Sequence, residues 1–133
     1  MSQENVELVG RFIHAFNERD LDTFTEMTTP DFEWSPSMVA IEGEVFVGRE
    51  GIETYFGRMT EAWTDFRGVA DALRDLGDRV LWLGRLEGQG RASGVPVSAA
   101  LDMLFELRGG KISRMRSFLD HGEALRAAGL EDG

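Results

Sequence analysis

Residues 101–118, LDMLFELRGGKISRMRSF, read as a β-hairpin, and that reading decides the fold. Leu101, Met103, Phe105 and Leu107 recur with a period of two, the mark of a strand with one buried face. Gly109-Gly110 closes the turn. If Arg108-Gly109-Gly110 forms a three-residue loop, Gly110 takes the left-handed position such loops require. Asp102 is out of place in this apolar strand. The alternation turns it, with Glu106, away from the apolar face. The same loop sets it directly opposite Arg116 on the returning strand, where a cross-strand ion pair contributes a few tenths to about 1 kcal/mol. Asp102 is therefore read as a structural partner of Arg116 rather than as a catalytic acid.

Upstream of the hairpin, 79–87 and 95–107 read as strands joined by a turn through Ala92-Ser93-Gly94. Residues 69–76 read as a further strand and 111–119 as the last one. Before residue 68 the period is helical. Val6, Val9, Phe12, Ile13 and Phe16 define a helix over 4–18, broken by Asn17 through Asp20. Asp22 caps a short helix over 23–28, which ends at Thr29-Pro30. FEWSPS is extended. Gly48 and Gly51 flank a sharp turn into a third helix, where Ile52, Tyr55, Phe56, Met59 and Trp63 keep the three-four spacing. A short helix over 122–130 closes the chain. Three helices followed by an antiparallel meander is an α+β pattern, with those helices on one face of the sheet.

The chain's 133 residues fit one domain over 1–133. Fourteen basic residues against 24 acidic ones leave a net charge of −10, with no Lys/Arg cluster to meet a phosphate backbone. Nucleic acid and anionic membrane are excluded as partners on that ground. Cysteine is absent, which removes disulfides, thiolate nucleophiles and Cys-ligated metals. His14 and His121 are too far apart for zinc-type spacing, so no metal and no cofactor is expected. MSQENVELVG has no basic segment before an apolar core, and no apolar run approaches a membrane span. A cytoplasmic protein is expected.

Taken in order, AFNERDLDTF, PDFEW, GREGI, RASGVP and RGGKI make the chain resemble the SnoaL-like group of the nuclear transport factor 2-like superfamily, over essentially its whole length. The resemblance implies a cone: a curved antiparallel sheet wrapped around the three N-terminal helices, with a pocket at the open end. Its members include polyketide cyclases, ketosteroid isomerases and limonene epoxide hydrolases, along with proteins that only bind. The acidic Asp of the isomerases falls on Asp102 by a gap-free count, or on Met103 if their hairpin loop is one residue longer. Their hydroxyl donor falls on Phe12 and their general base on Ser35, before Pro36. Neither side chain suits those roles. Arg85-Leu86-Glu87 is similar to half of the hydrolases' Asp-Arg-Asp set. The second Asp, like the cyclases' acidic residue on the last strand, falls on Ser117.

Leu81, Leu83, Arg85 and Glu87 share one strand face. If that face is concave, Arg85 and Glu87 stand at the pocket mouth as catalytic candidates; otherwise they form a rim pair. His121, after the last strand, is the remaining candidate base. The expected pocket wall is Phe12, Phe16, Trp34, Ser35, Tyr55, Phe56, Met59, Trp63, Met103, Met115 and Ser117, which suits a small apolar ligand. Two functions follow: a binding protein for such a ligand, or a cyclase-, isomerase- or epoxide-hydrolase-like enzyme. The resemblance also implies a homodimer through the outer sheet face. Val80, Trp82 and Leu86, alternating with Arg85, would supply an apolar surface there.

Overall fold

Helix α1 (Ser2–Asn17) forms where the sequence places it, because Val9, Phe12, Ile13 and Phe16 make one buried stripe. The structure is a computed structural model that describes residues 2–35 and 45–130. Helix α2 (Leu21–Glu26) starts earlier than expected, since Asp20 rather than Asp22 is its cap and accepts from the Thr23 amide. Asp22 instead pairs with Arg49 at 2.8 Å. Strand β1 (Thr28–Ser35) takes in FEWS, whereas Pro36 and Ser37 of the expected extended stretch lie outside the described residues.

The two-residue strand β2 (Phe46–Val47) had no pattern long enough to read. It leads into α3 (Gly48–Ala62), which Gly48 opens at φ 63°. Ile52, Tyr55, Phe56 and Met59 are buried as the spacing predicts. Trp63, assigned to that helix from sequence, is extended instead and begins β3 (Trp63–Asp75). Then follow β4 (Arg79–Gly90), β5 (Pro96–Arg108), β6 (Lys111–Phe118) and α4 (His121–Ala128). Among the described residues, no helix is long and apolar enough to cross a membrane.

The strands form one curved, unclosed six-stranded sheet in the order β2-β1-β6-β5-β4-β3, and the α+β expectation holds. Neighbours are antiparallel except β1 and β6, which run parallel. Register shifts in β3 between Thr64 and Arg67 and between Ala70 and Ala72 bend the sheet. Gly84 sits opposite the second of these. A Cβ there would lie 2.1 Å from the Val69 carbonyl oxygen, so only glycine lets β3 and β4 approach at the bend.

The hairpin differs from its sequence reading by one residue. Gly109 (φ 59°) and Gly110 (φ 79°) are both left-handed and make a two-residue turn, with Arg108 paired to Lys111. A bulge between Glu106 and Leu107 then sets Asp102 opposite Phe118, and Arg116 opposite Leu104. The expected Asp102–Arg116 pair therefore does not form. Arg114 and Arg116 both reach Glu106 at 3.5 Å.

Strand β4 corrects a second expectation. Val80, Trp82 and Leu86 face inward and join α1–α3 in the main core. Leu81 faces outward, where with Leu104 it is buried under Ala124 and Ala128 of α4. Because β4 is apolar on both sides, alternation alone cannot say which side is inner. The apolar outer face that the dimer expectation rested on is thus the inner one, and α4 covers part of the true outer face.

Candidate functional site

The concave face of the sheet and the three helices leave a cavity between them. Ile13 and Phe16 of α1, Phe24 of α2 and Tyr55 of α3 form one side. The sheet supplies Trp34, Gly68, Leu86, Leu101, Met103, Met115 and Ser117. The register explains their convergence, since Trp34 pairs with Met115 and Met103 with Ser117. The free space between them is small, room for roughly one water.

Six of the expected wall residues are here: Phe16, Trp34, Tyr55, Met103, Met115 and Ser117. Phe12, Phe56 and Met59 belong to the solid core beside it. Trp63 borders an open depression with Thr60 and Arg91, away from the cavity. Ser35 ends β1, paired with Arg116 in register. Sequence reasoning missed Ile13, Phe24, Gly68, Leu86 and Leu101. Ile13 and Leu101 could have been found, because they share the stripes of Phe16 and Met103. Leu86 needed the correct face of β4, and Gly68 carries no side-chain signal.

The NER of AFNERD holds one corner of this site. The Asn17 side-chain amide donates to the Gly68 carbonyl at 3.1 Å and accepts from the Gly68 amide at 2.8 Å. Arg19 (φ 58°) donates to the carbonyls of Phe16, Asn17 and Phe66, and its guanidinium lies 3.5 Å above the Phe66 ring. These bonds tie the end of α1 to β3, and so fix Phe16 against Gly68.

Three polar groups belong to an otherwise apolar lining. Trp34 Nε1 is buried without a hydrogen-bond partner among the described residues. The Tyr55 and Ser117 hydroxyls bond to no described residue. Burial pushes the Tyr55 hydroxyl upward, so it stays protonated at neutral pH. Among the described residues, no carboxylate, imidazole, amine or guanidinium lines the cavity, and no three acidic or histidine side chains are grouped to hold a metal.

The catalytic candidates lie on the other side of the sheet. Arg85 and Glu87 share the outward face of β4 with Leu81, so of the two places read for them the concave mouth falls away and the rim pair stands. Arg85 donates to Glu87 at 2.9 Å and to Asp71 at 2.6 Å, and Arg67 reaches Glu87 at 3.3 Å. The hydrogen bond from Arg85, with help from Arg67, holds the Glu87 carboxyl below the usual carboxylate range. His121 begins α4, with Nδ1 2.7 Å from Asp102 Oδ2. Asp102 is 7% exposed and faces outward beside Leu83 and Phe118. The Asp102–His121 pair thus fastens α4 to the sheet, and neither residue reaches the cavity.

The comparisons with known proteins agree with this fold. A family model described as a SnoaL-like domain matches residues 9–115. No curated protein gives a match. Among solved structures, the chain is similar to a nuclear transport factor 2-like protein of unknown function from Burkholderia pseudomallei K96243. That one is 19% identical, with a TM-score of 0.78 over 92% of this chain and 95% of the other. It is also similar to a hypothetical protein of ketosteroid isomerase-like fold from Catenulispora acidiphila DSM 44928, in complex with trimethylamine. There the identity is 18% and the TM-score 0.76, over 94% of each chain. TerC, co-crystallised with polyporic acid, is 22% identical with a TM-score of 0.77, over 95% of this chain and 98% of its own.

Proposed function

The chain belongs to the SnoaL-like domain family, and on that premise we propose that it binds a small, uncharged, mainly apolar molecule in the cavity without transferring a proton to or from it. One observation carries this reading: among the described residues, Tyr55 is the single ionisable one in the lining, and burial keeps its hydroxyl neutral. Acid–base catalysis needs a group whose pKa lies near the working pH, within reach of the reacting atom. A charged ligand would be stranded, because burying a charge without a partner is costly. That TerC was crystallised with a small organic molecule is in keeping with a ligand site in this fold.

Space for about one water means that a larger ligand enters by displacing side chains. Met103 and Met115 are unbranched and adapt most readily. The alternative reading, a cyclase-, isomerase- or epoxide-hydrolase-like enzyme, gains no support from any group in this lining.

A thermal-shift screen over apolar ketones, epoxides, sterols and aromatic polyketides tests the proposal. A ligand at ~100 times its dissociation constant adds about 2.7 kcal/mol of stability. Neutral compounds are expected to raise the melting temperature, and carboxylate analogues of the same skeleton are expected not to. Glu87→Gln, on the outer face, should leave the affinity of any hit within a few-fold. A screen in which only charged compounds bind would contradict the reading, as would a turned-over substrate whose rate collapses with Glu87→Gln.

A further inference from the structure

On the outer face of the sheet, apart from the cavity, we infer a second site: His121, oriented by Asp102, is a general base that activates water against a small neutral ester held in the groove beside α4. The Asp102 side chain is 9% exposed, and among the described residues it bonds only to His121 Nδ1, at 2.7 Å. A buried carboxylate accepts, so Nδ1 carries the proton and the neutral ring keeps its lone pair at Nε2. Nε2 bonds to no described residue, and the His121 side chain is 61% exposed. Fastening α4 needs only a donor to Asp102, which an asparagine or glutamine also supplies. Histidine alone leaves a base on the far side of that bond, the arrangement in which a carboxylate orients a catalytic imidazole.

The groove gives the substrate its place. Leu83, Ala100, Phe118 and Leu119 line it together with Asp102 and His121, around a volume of about 320 Å³, enough for a small molecule. Leu119 is 55% exposed, so an apolar acyl chain laid there covers a surface that water otherwise meets. Asp71 also lines the groove, its charge met by Arg85 at 2.6 Å. Two carboxylates in one groove disfavour an anionic substrate. Among the described residues no hydroxyl or thiol lines it, so the attacking group is water and no acyl-enzyme forms. His121 Nε2 takes a proton from water as the water oxygen attacks the ester carbonyl carbon. The carbon–oxygen bond to the leaving group then breaks, and the imidazolium returns the proton to the departing alcohol or phenol. A carboxylic acid and that alcohol or phenol are the products.

The probe is 4-nitrophenyl butyrate, a neutral apolar ester whose phenol leaves readily. Wild-type protein is expected to release 4-nitrophenolate with saturation in ester. His121→Gln keeps a donor for Asp102, and so keeps α4 fastened, but removes the base; kcat should fall about 100-fold, the low end for a lost general base. Asp102→Asn should lower kcat and leave KM within about twofold, the pattern of an interaction made only in the transition state. In His121→Ala, added imidazole should restore turnover, which a purely structural histidine would not show. Ala100→Trp, on the exposed wall of the groove, should raise KM and spare kcat. Equal rates in wild type and His121→Gln would overturn the proposal, as would hydrolysis that never saturates. Should the His121 variants not fold, an unchanged KM in Ala100→Trp would overturn it too. A ketone such as α-tetralone offers no bond to hydrolyse, so the cavity and this groove are tested apart.

Discussion

Phe12→Ala is expected to lower the free energy of unfolding by about 3–5 kcal/mol, the range for truncating a fully buried phenylalanine. Phe12 is 0% exposed and stands where four elements meet. Its ring stacks on Phe24 of α2 with centroids 4.0 Å apart. It meets Phe32 of β1 and Phe105 of β5 edge-on at 6.3 and 6.0 Å. Alanine removes all three ring contacts, and the rigid rings around the site limit how far the void can collapse. Helix α1 itself does not suffer, because alanine is the better helix former, so the loss reports packing alone. Urea denaturation should show the midpoint falling with an unchanged slope. A loss below about 1 kcal/mol would mean that α1 does not sit against the sheet as described.

Gly84→Ala is expected to cost about 3 kcal/mol or more, at or above the upper end of the usual overpacking range. The added methyl carbon would lie 2.1 Å from the Val69 carbonyl oxygen, 2.9 Å from the Trp82 ring and 3.1 Å from the Ala70 Cα. Two of these neighbours are backbone of the paired strand, so relief requires β3 to move off β4 at its bend. The Trp82 ring would shift with it, and that ring packs in the main core. The same denaturation experiment checks this value. A change within about 0.5 kcal/mol would show that the two strands are further apart there than the register shift implies.

The order and type of the long elements were legible in the sequence. Helical spacing in α1 and α3 and the alternation of β5 are strong local signals, because each element buries one face. What failed depended on contacts distant in sequence. The direction of β4 could not be read, because both Leu81 and Trp82 are buried, one under α4 and one against α1–α3. That single ambiguity left both the mouth and the rim open to Arg85 and Glu87, and made Val80, Trp82 and Leu86 into a dimer face. The pairing of Asp102 failed by turn geometry: a two-residue turn and a bulge moved it off Arg116 and left it to His121. Six of the expected wall residues line this cavity, because a hollow core is lined by the residues that a filled core would use. Trp34 was among them, but that its Nε1 stands unpartnered could be seen only once the neighbouring side chains were placed.

The central claim is that this cavity, and neither the Arg85–Glu87 ladder nor the Asp102–His121 pair, receives the ligand. The six methionines of the chain allow a direct test. With methionine methyl groups labelled for NMR, α-tetralone is titrated into the protein. Met103 and Met115 line the cavity, and Met59 lies in the core beyond it. The account predicts saturable shifts at Met103 and Met115, with Met27 unmoved. Saturable binding that leaves Met103 and Met115 unchanged would contradict it and place the site elsewhere on the fold.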